Sequence, residues 1–261
     1  MKPRFVFLLA VQAALSGSAK AQVTDSLKNA VTVQYTHHHF DKQFAEDWRL
    51  ASVEYKRQTR FGALIPRLNY ARRLGHTGFQ YELDAYPKFS KKLYAYFNAG
   101  HSSRMPVFPQ WRQGLSLFLG LSKGWEAEGG YRFLYFDREV WIATAGLSKY
   151  WGNWLLNGRS YYQPSAAGTN LSYFFNARRY LKNERDHIWL QAGRGVSPDE
   201  SRNIQIVSNA LLHSTRLGAG AQLSLTKQLG LQVSANWSRD EFLPDTFGNQ
   251  YFGTLGLSCR F

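Results

Sequence analysis

The chain has 261 residues, a formal net charge of +14 and one cysteine, and 16% of its residues are aromatic. A single cysteine excludes an internal disulfide framework. A strongly basic chain often binds nucleic acid. A signal for export at the N-terminus would instead favour an anionic partner outside the cytoplasm, so the N-terminus is considered first.

The first 21 residues have the pattern of a secretory signal peptide. Lys2 and Arg4 precede the apolar run Phe5–Leu15, and Ala19-Lys20-Ala21 forms a small-x-small cleavage site before Gln22. The apolar run is shorter than the roughly 20 residues that a membrane helix needs. We therefore expect a signal peptide at 1–21 and one exported domain at 22–261, which argues against nucleic acid and favours anionic lipids and lipopolysaccharide as the partners of the basic charge.

From residue 30 onward the sequence alternates apolar and polar residues with a period of two, broken at intervals by turn residues. That period is typical of strands with two chemically different faces. The many aromatic residues, without long apolar runs, suit strands that cross a bilayer in about 10 residues each. The predicted strands cover residues 30–38, 49–57, 63–73, 79–85, 93–99, 114–121, 125–135, 140–150, 153–162, 171–178, 188–194, 216–225, 231–237 and 251–261.

Three of these strands give weaker signals. Pro66 would remove a ladder hydrogen bond from the third strand, the eighth is apolar on both faces, and the eleventh is short. The pattern predicts 14 strands and leaves counts of 12 and 16 open. Long connections at 101–111, 196–211 and 239–248 would all fall on one side, as expected when both chain ends lie in the periplasm.

The last strand ends on an aromatic residue, Phe261. Leu255, Leu257 and Phe261 lie on one face, and Thr254, Ser258 and Arg260 lie on the other. A closing aromatic residue resembles the final strand of bacterial outer-membrane barrels, so we expect Phe261 to be the signal for membrane assembly. The fold class predicted is all-β, a transmembrane antiparallel up-and-down β-barrel of about 14 strands.

Charged strand residues should point into such a barrel, because Arg or Lys facing lipid at mid-depth costs about 2–4 kcal/mol. Two interpretations of that interior stay open. The charges either fill and stiffen the lumen or, with Tyr94, Tyr96 and Phe118, line a path for a polar solute. The lumen candidates are Glu54, Lys56, Arg67, Glu82, Asp84, Glu126, Glu128, Arg132, Arg159, Arg178 and Arg216.

Two other kinds of site find less support. In the run His37-His38-His39 only His37 and His39 can share a face, and no carboxylate stands at clear ligand spacing, so we expect no metal and place the rings at the outer headgroup level. A lipid-modifying barrel enzyme would need a Ser and a His together on the outer wall. Ser160 and Ser214 lie near outer strand ends, but the neighbours His213 and Ser214 face apart, and we expect no enzyme and no cofactor.

A stretch between residues 130 and 200 resembles a known family. It reads Gly-Tyr-Arg at 130–132, Tyr-Phe-Asp at 135–137, Ala-Gly-Leu-Ser at 145–148, Arg-Arg-Tyr at 178–180, Gly-Arg-Gly at 193–195 and Ser-Pro-Asp-Glu at 197–200. With the signal peptide and Phe261, this is similar to the YaiO-like outer-membrane β-barrels. The resemblance implies a single outer-membrane barrel and supplies no catalytic residues.

The sequence thus predicts a monomeric barrel in the cell outer membrane that passes or exports a polar solute, with a polysaccharide as one candidate. Its expected partners are outer-membrane lipids, lipopolysaccharide and the barrel-assembly machinery. The alternative is a structural or adhesive barrel with a filled lumen that binds surface lipid or polysaccharide. A lipid-modifying enzyme ranks third.

Overall fold

Fourteen antiparallel strands close into a barrel in which every strand pairs with its sequence neighbours and β1 pairs with β14. The computed structural model describes residues 27–103, 106–165, 168–181, 183, 185–195 and 213–261. The predicted signal peptide and the connection at 196–211 lie outside the described residues. The strands are β1 Asn29–Phe40, β2 Trp48–Thr59, β3 Gly62–Arg73, β4 His76–Pro87, β5 Leu93–His101, β6 Trp111–Gly120, β7 Trp125–Tyr135, β8 Glu139–Trp151, β9 Trp154–Ser165, β10 Gly168–Tyr180, β11 His187–Arg194, β12 Ser214–Ser224, β13 Leu229–Leu243 and β14 Thr246–Arg260.

The predicted count of 14 is confirmed, and the three weaker strands all form. In β3, Pro66 faces Leu83 of β4. On the other side, the register with β2 runs as far as Glu54–Arg67 and resumes at Arg57–Leu64. The ladder therefore skips the position of Pro66, because proline has no N–H to donate.

The two faces of β8, which the sequence left ambiguous, are separated by burial. Trp141 and Leu147 are exposed on the outside of the barrel, whereas Val140, Ile142, Thr144 and Ser148 are buried inside. Val140 and Ile142 pack with Leu134, Phe136, Tyr161 and Phe174 in an apolar cluster. The strand reads as apolar on both faces because part of the lumen is itself apolar.

The outer wall has the chemistry of a lipid-facing surface. Leucine and valine side chains are exposed along the middle of the strands, among them Val33, Leu117, Leu190 and Leu255. Aromatic residues are exposed towards the strand ends: Trp111 and Trp141 near one end, and Trp125, Trp151 and Trp154 near the other. Such aromatic girdles mark the two membrane interfaces.

The connections at the two ends of the barrel differ in length. Those at 41–47 and at 102–110 lie at one end, whereas the opposite end has shorter turns such as 60–61 and 152–153. Transmembrane barrels have short periplasmic turns and longer extracellular loops, so the first end is the outer one. Among the described residues, no helix is long and apolar enough to cross a membrane.

The prediction of a long outer loop at 239–248 is wrong. Strands β13 and β14 stay paired through Arg239–Asn249, Asp240–Gly248 and Glu241–Phe247, and a two-residue turn, Pro244-Asp245, joins them. Asp245 has φ 59°, the left-handed conformation that Asp tolerates in tight turns. The strands continue past residue 239 because polar residues within the hairpin bond to one another. One example is the backbone N–H of Asp245, which donates to Glu241 Oε1 at 2.8 Å.

The barrel closes where the two ends of the described chain meet. Ala30 to Phe40 of β1 pair with Arg260 to Gln250 of β14 in an unbroken register. At the end of the seam, Asn29, the first residue of β1, and Phe261, which follows β14, exchange two backbone hydrogen bonds, each of 3.1 Å. No strand edge is left open at this seam, which is the condition for a sheet to lie in lipid.

Two adjacent glycines in β7 give a matched test of sheet packing. A Cβ atom on Gly130 would overlap the carbonyl oxygen of Leu115 in β6, whereas a Cβ on Gly129 meets nothing within 4 Å. We expect Gly130→Ala to lower the free energy of unfolding by about 1–3 kcal/mol, because the overlapped atom belongs to backbone that cannot rotate away. Urea unfolding followed by tryptophan fluorescence measures it, with Gly129→Ala as the control. Equal stability of the two variants would contradict the packing argument.

Candidate functional site

A charged cavity of about 580 Å³ lies inside the barrel. Lys56, Arg178 and Arg260 line it towards the periplasmic ends of their strands. At the outer end its wall includes Arg73 and the loop residues Phe108 and Pro109. The cavity thus extends along much of the barrel interior and is bordered by residues of the β5–β6 loop at its outer end.

Three carboxylates meet one arginine in the middle of this cavity. Arg67 lies within 3.0 Å of Glu54, 3.1 Å of Glu82 and 3.0 Å of Asp84, measured between guanidinium nitrogens and carboxylate oxygens. The register explains the cluster, since Arg67 of β3 stands directly opposite Glu54 of β2 and Glu82 of β4. Opposite charges at directly paired positions attract each other across the sheet. We call Glu54, Arg67, Glu82 and Asp84 the carboxylate cluster.

Two further ion pairs bridge an intervening strand. Arg112 of β6 reaches Glu82 of β4 at 2.9 Å across Gly100 of β5, which is the register partner of both. A Cβ on Gly100 would come within 3.0 Å of the Glu82 side chain and 2.8 Å of Arg112. Glycine is therefore required for the two long side chains to meet over the middle strand.

Arg159 and Glu128 repeat this arrangement. Arg159 Nη2 of β9 lies 2.7 Å from Glu128 Oε2 of β7, across Gly146 of β8. A Cβ on Gly146 would stand 3.0 Å from Glu128 Oε2. Reasoning from the sequence included Arg159 and Glu128 but missed Arg112 and both glycines. The predicted sixth strand began at residue 114. Had the alternation been followed two residues further towards the N-terminus, Arg112 would have fallen on the inward face with Gly114 and Ser116.

The remaining predicted lumen residues divide between the cavity and the packed wall. Lys56, Arg132 and Arg178 line the cavity. Glu126 is 1% exposed and hydrogen-bonds with Tyr94, and Arg216 is 3% exposed with its guanidinium 5.7 Å from the ring centre of Phe252. Glu126 and Arg216 point inward but are covered by other side chains.

Of the three aromatic residues expected along a solute path, two line the cavity. Tyr96 and Phe118 do so, and the Arg132 guanidinium lies 5.2 Å from the Tyr96 ring centre. Tyr94 is only 3% exposed and stacks on Phe118 at 4.6 Å between ring centres. The expectation for Tyr94 is therefore wrong, because the ring of Phe118 separates it from the cavity.

A loop folds back over the outer end of the cavity. Val107 and Phe108 of the β5–β6 connection are buried with Phe40, Trp48, Leu50 and Ala71. Arg73 Nε donates to the carbonyl oxygen of Val107 at 2.6 Å, and its guanidinium lies between the rings of Trp48 (5.6 Å) and Phe108 (5.2 Å). We call Val107–Pro109 the inner loop. The sequence showed a long Pro-containing connection but not that it enters the barrel.

A buried polar chain runs beside the seam at the outer end. His38 Nδ1 and Gln250 Nε2 are 2.7 Å apart, Ser238 donates to Asp240 at 2.8 Å, and Ser214 Oγ donates to Asp240 Oδ1 at 2.6 Å. All five side chains are at most 4% exposed. Ser214 therefore lies inside the barrel and bonds a carboxylate, not on the lipid-facing wall where a lipid-modifying enzyme would need it.

His37 and His39 share the outer face, as predicted, but the expectation that no carboxylate accompanies them is wrong. Asp47 of the β1–β2 connection lies 3.0 Å from His37 Nε2 and 2.9 Å from His39 Nδ1. Desolvation raises the pKa of Asp47, but the hydrogen bonds to His39 and His37 outweigh it and hold the pKa below its ordinary value. Among the described residues, no three His, Cys, Asp or Glu side chains are arranged to hold a metal ion.

A closed 14-strand barrel that is apolar outside, girdled by aromatic residues and charged inside is an outer-membrane β-barrel. Two solved structures share the fold. A "Bacterial polysaccharide outer membrane secretin" is 9% identical with a TM-score of 0.56, and the match covers 90% of this chain and 98% of that one. The outer membrane protein Omp33 of Acinetobacter baumannii is 13% identical with a TM-score of 0.53, over 90% of this chain and 99% of that one.

The family is shown by sequence. The model of the YaiO membrane beta barrel domain matches residues 28–200, and the chain belongs to this family. None of the curated proteins matches the chain. The resemblance identified in the sequence, the fold class and the outer-membrane location are thereby confirmed.

The carboxylate cluster gives a test of interior charge pairing. Arg67→Met would leave Glu54, Glu82 and Asp84 together without the cation that contacts all three, and we expect a loss of about 3 kcal/mol in the free energy of unfolding. Adding Asp84→Asn should restore part of that stability, because it removes one of the repelling charges. Arg57→Met, at an exposed position of β2, is the control. Urea unfolding of the refolded barrel measures all three, and an Arg67→Met barrel as stable as the control would show that the cluster does not stabilise the fold.

Proposed function

We propose that the barrel provides a path for a polar solute across the outer membrane, in export or in uptake. The observation that carries this proposal is the cavity of about 580 Å³ bordered by charged side chains from its periplasmic to its outer end. A barrel with a purely structural interior would fill that volume with side chains, since close packing is the stable arrangement of a protein interior. Side-chain charges retained beside open space favour a polar occupant.

The lining residues support a solute with hydrogen-bonding groups. Gln34, Ser52, Asn69 and Gln80 line the cavity together with the arginines, and Tyr96 and Phe118 add aromatic surface. Amides, hydroxyls and aromatic rings together suit a saccharide, so a polysaccharide or oligosaccharide is one candidate cargo. The secretin with the same fold shares only 9% of its residues, and the proposal depends on the cavity, not on that likeness. Family and fold favour transport over catalysis.

A structural or adhesive barrel is the second candidate, and two observations favour it. The inner loop is buried at the outer end of the cavity. The interior between β9 and β12 is also crowded, because Trp189 lies over the positions of Gly218 and Gly220 and Phe174 fills the space beside Gly193. If these groups never move, the lumen is closed and the outer surface carries the function.

Single-channel recording of the refolded protein in a planar bilayer separates the two candidates. Passage predicts steady conductance that added oligosaccharides reduce. Phe108→Ala should raise the conductance, because it removes a ring from the outer wall of the cavity, whereas Phe89→Ala in a periplasmic turn should leave it unchanged. No conductance in wild type or in Phe108→Ala would overturn passage and favour the structural candidate.

The membrane partners follow from the surface. The lipid-facing wall implies contact with outer-membrane lipids, and we propose that the basic outer rim contacts lipopolysaccharide through residues such as Arg49 and Arg72, which pair directly across β2 and β3 and are both exposed. Two like charges side by side repel unless an anion lies between them. We also propose a monomer, because the strand order closes within one chain.

We further propose that the barrel-assembly machinery recognises Phe261 at the seam, where its backbone bonds Asn29. Phe261→Ala should keep those backbone bonds but lose the exposed ring, and so should lower the amount of folded barrel in the outer membrane without changing urea stability after refolding. Membrane levels equal to wild type would overturn the role of Phe261.

A further inference from the structure

We infer that the cavity selects anions, so that the solute it passes carries negative charge. This inference rests on the proposed passage and adds the chemical class of the solute. It comes from three features of the described residues: the sum of the charges that line the cavity, their position along the barrel, and what neutralises the acidic ones.

The lining is strongly basic. Eight Lys and Arg side chains border the cavity, against the three carboxylates of Glu54, Glu82 and Asp84. A lumen of one net sign inside walls of low dielectric constant concentrates ions of the opposite sign. The excess of positive charge therefore favours anions throughout the cavity.

Basic residues stand at both ends, whereas the carboxylates Glu54 and Glu82 stand in the middle and Asp84 lies within the last four residues of β4. Arg73 is the last residue of β3 at the outer end. Lys56, Arg178 and Arg260 lie within the last four residues of β2, β10 and β14, which end at the periplasmic side. A solute that enters from either end therefore meets an excess of positive charge, since Lys56, Arg178 and Arg260 outnumber Asp84 at the periplasmic end.

Two arginines offset most of the negative charge of the three carboxylates. Arg67 contacts Glu54, Glu82 and Asp84, and Arg112 makes a second contact to Glu82 at 2.9 Å. Carboxylates held this way contribute little net field to the cavity and repel an anion only weakly. The two other inward-facing acids of the predicted set, Glu126 and Glu128, lie behind the lining, with Glu128 bonded to Arg159.

Two of the lining arginines also donate to uncharged acceptors. Arg132 donates to Ser116 Oγ at 3.0 Å and to the carbonyl oxygens of Tyr131 and Leu115. Arg73 donates to the carbonyl oxygen of Val107 and lies beside two aromatic rings. Such bonds fix the direction of a guanidinium and so contribute to a rigid wall.

The test is the reversal potential of the refolded wild-type barrel in a planar bilayer with a KCl gradient. We expect a chloride-to-potassium permeability ratio of about 3 or more, since basic side chains outnumber carboxylates in the lining of a narrow lumen. Pyrophosphate, a polyvalent anion, should block the current at concentrations where spermine, a polyvalent cation, does not. A barrel that conducts with a ratio of one or below would overturn the anion selectivity and leave passage standing. A barrel without conductance would overturn passage, and the selectivity with it.

A pair of double variants shows whether the lumen charges cause the selectivity. Lys56→Gln with Arg178→Gln removes two charges from the cavity, and we expect it to lower the permeability ratio by about half. Arg57→Gln with Arg179→Gln removes the same charge from the adjacent, exposed positions and should leave the ratio unchanged. Equal permeability ratios in the two double variants would overturn the assignment of the selectivity to Lys56 and Arg178. If either variant fails to refold, the wild-type reversal potential still tests the anion selectivity.

Discussion

The structure depends on one constraint, that a sheet in lipid must leave no backbone N–H or C=O without a partner. The barrel meets it by pairing β1 with β14 and by continuing the hydrogen bonding to Asn29 and Phe261 at the end of the seam. The same constraint explains how β3 accommodates Pro66. The ladder skips that position towards β2 and stays regular towards β4, so one missing donor costs little.

Closure fixes which face of each strand meets lipid, and alternation then sends the charges inward. Inside, position in the register decides how those charges are used. Directly paired strands give the carboxylate cluster around Arg67, and glycines in an intervening strand allow Arg112 and Glu82, or Arg159 and Glu128, to meet across it. The wall is thus held by short ion pairs, while other basic residues border the cavity, and this imbalance gives the interior its positive character.

The outer end is organised differently, by aromatic packing. Trp48 and Phe108 surround Arg73, which bonds the carbonyl oxygen of Val107 and so holds the inner loop against the barrel wall. Beside the seam, Ser214, Ser238 and Gln250 form a buried polar chain with Asp240 and His38. The width of the cavity at its outer end therefore depends on how the inner loop packs, whereas the charge of the lumen depends on residues of the strands.

The sequence by itself determined the fold class and the face of nearly every strand, because a period of two in a bilayer permits only a closed barrel. It favoured 14 strands but left 12 and 16 open. It also indicated the inward-facing charges, from Glu54 to Arg216. Only the tertiary structure decided which of them meet, that Tyr94 lies behind Phe118, that Asp47 joins His37 and His39, and that β13 and β14 continue through residues 239–248. The physical reason is that alternation is local, whereas register and the path of a loop depend on contacts between residues far apart in the chain.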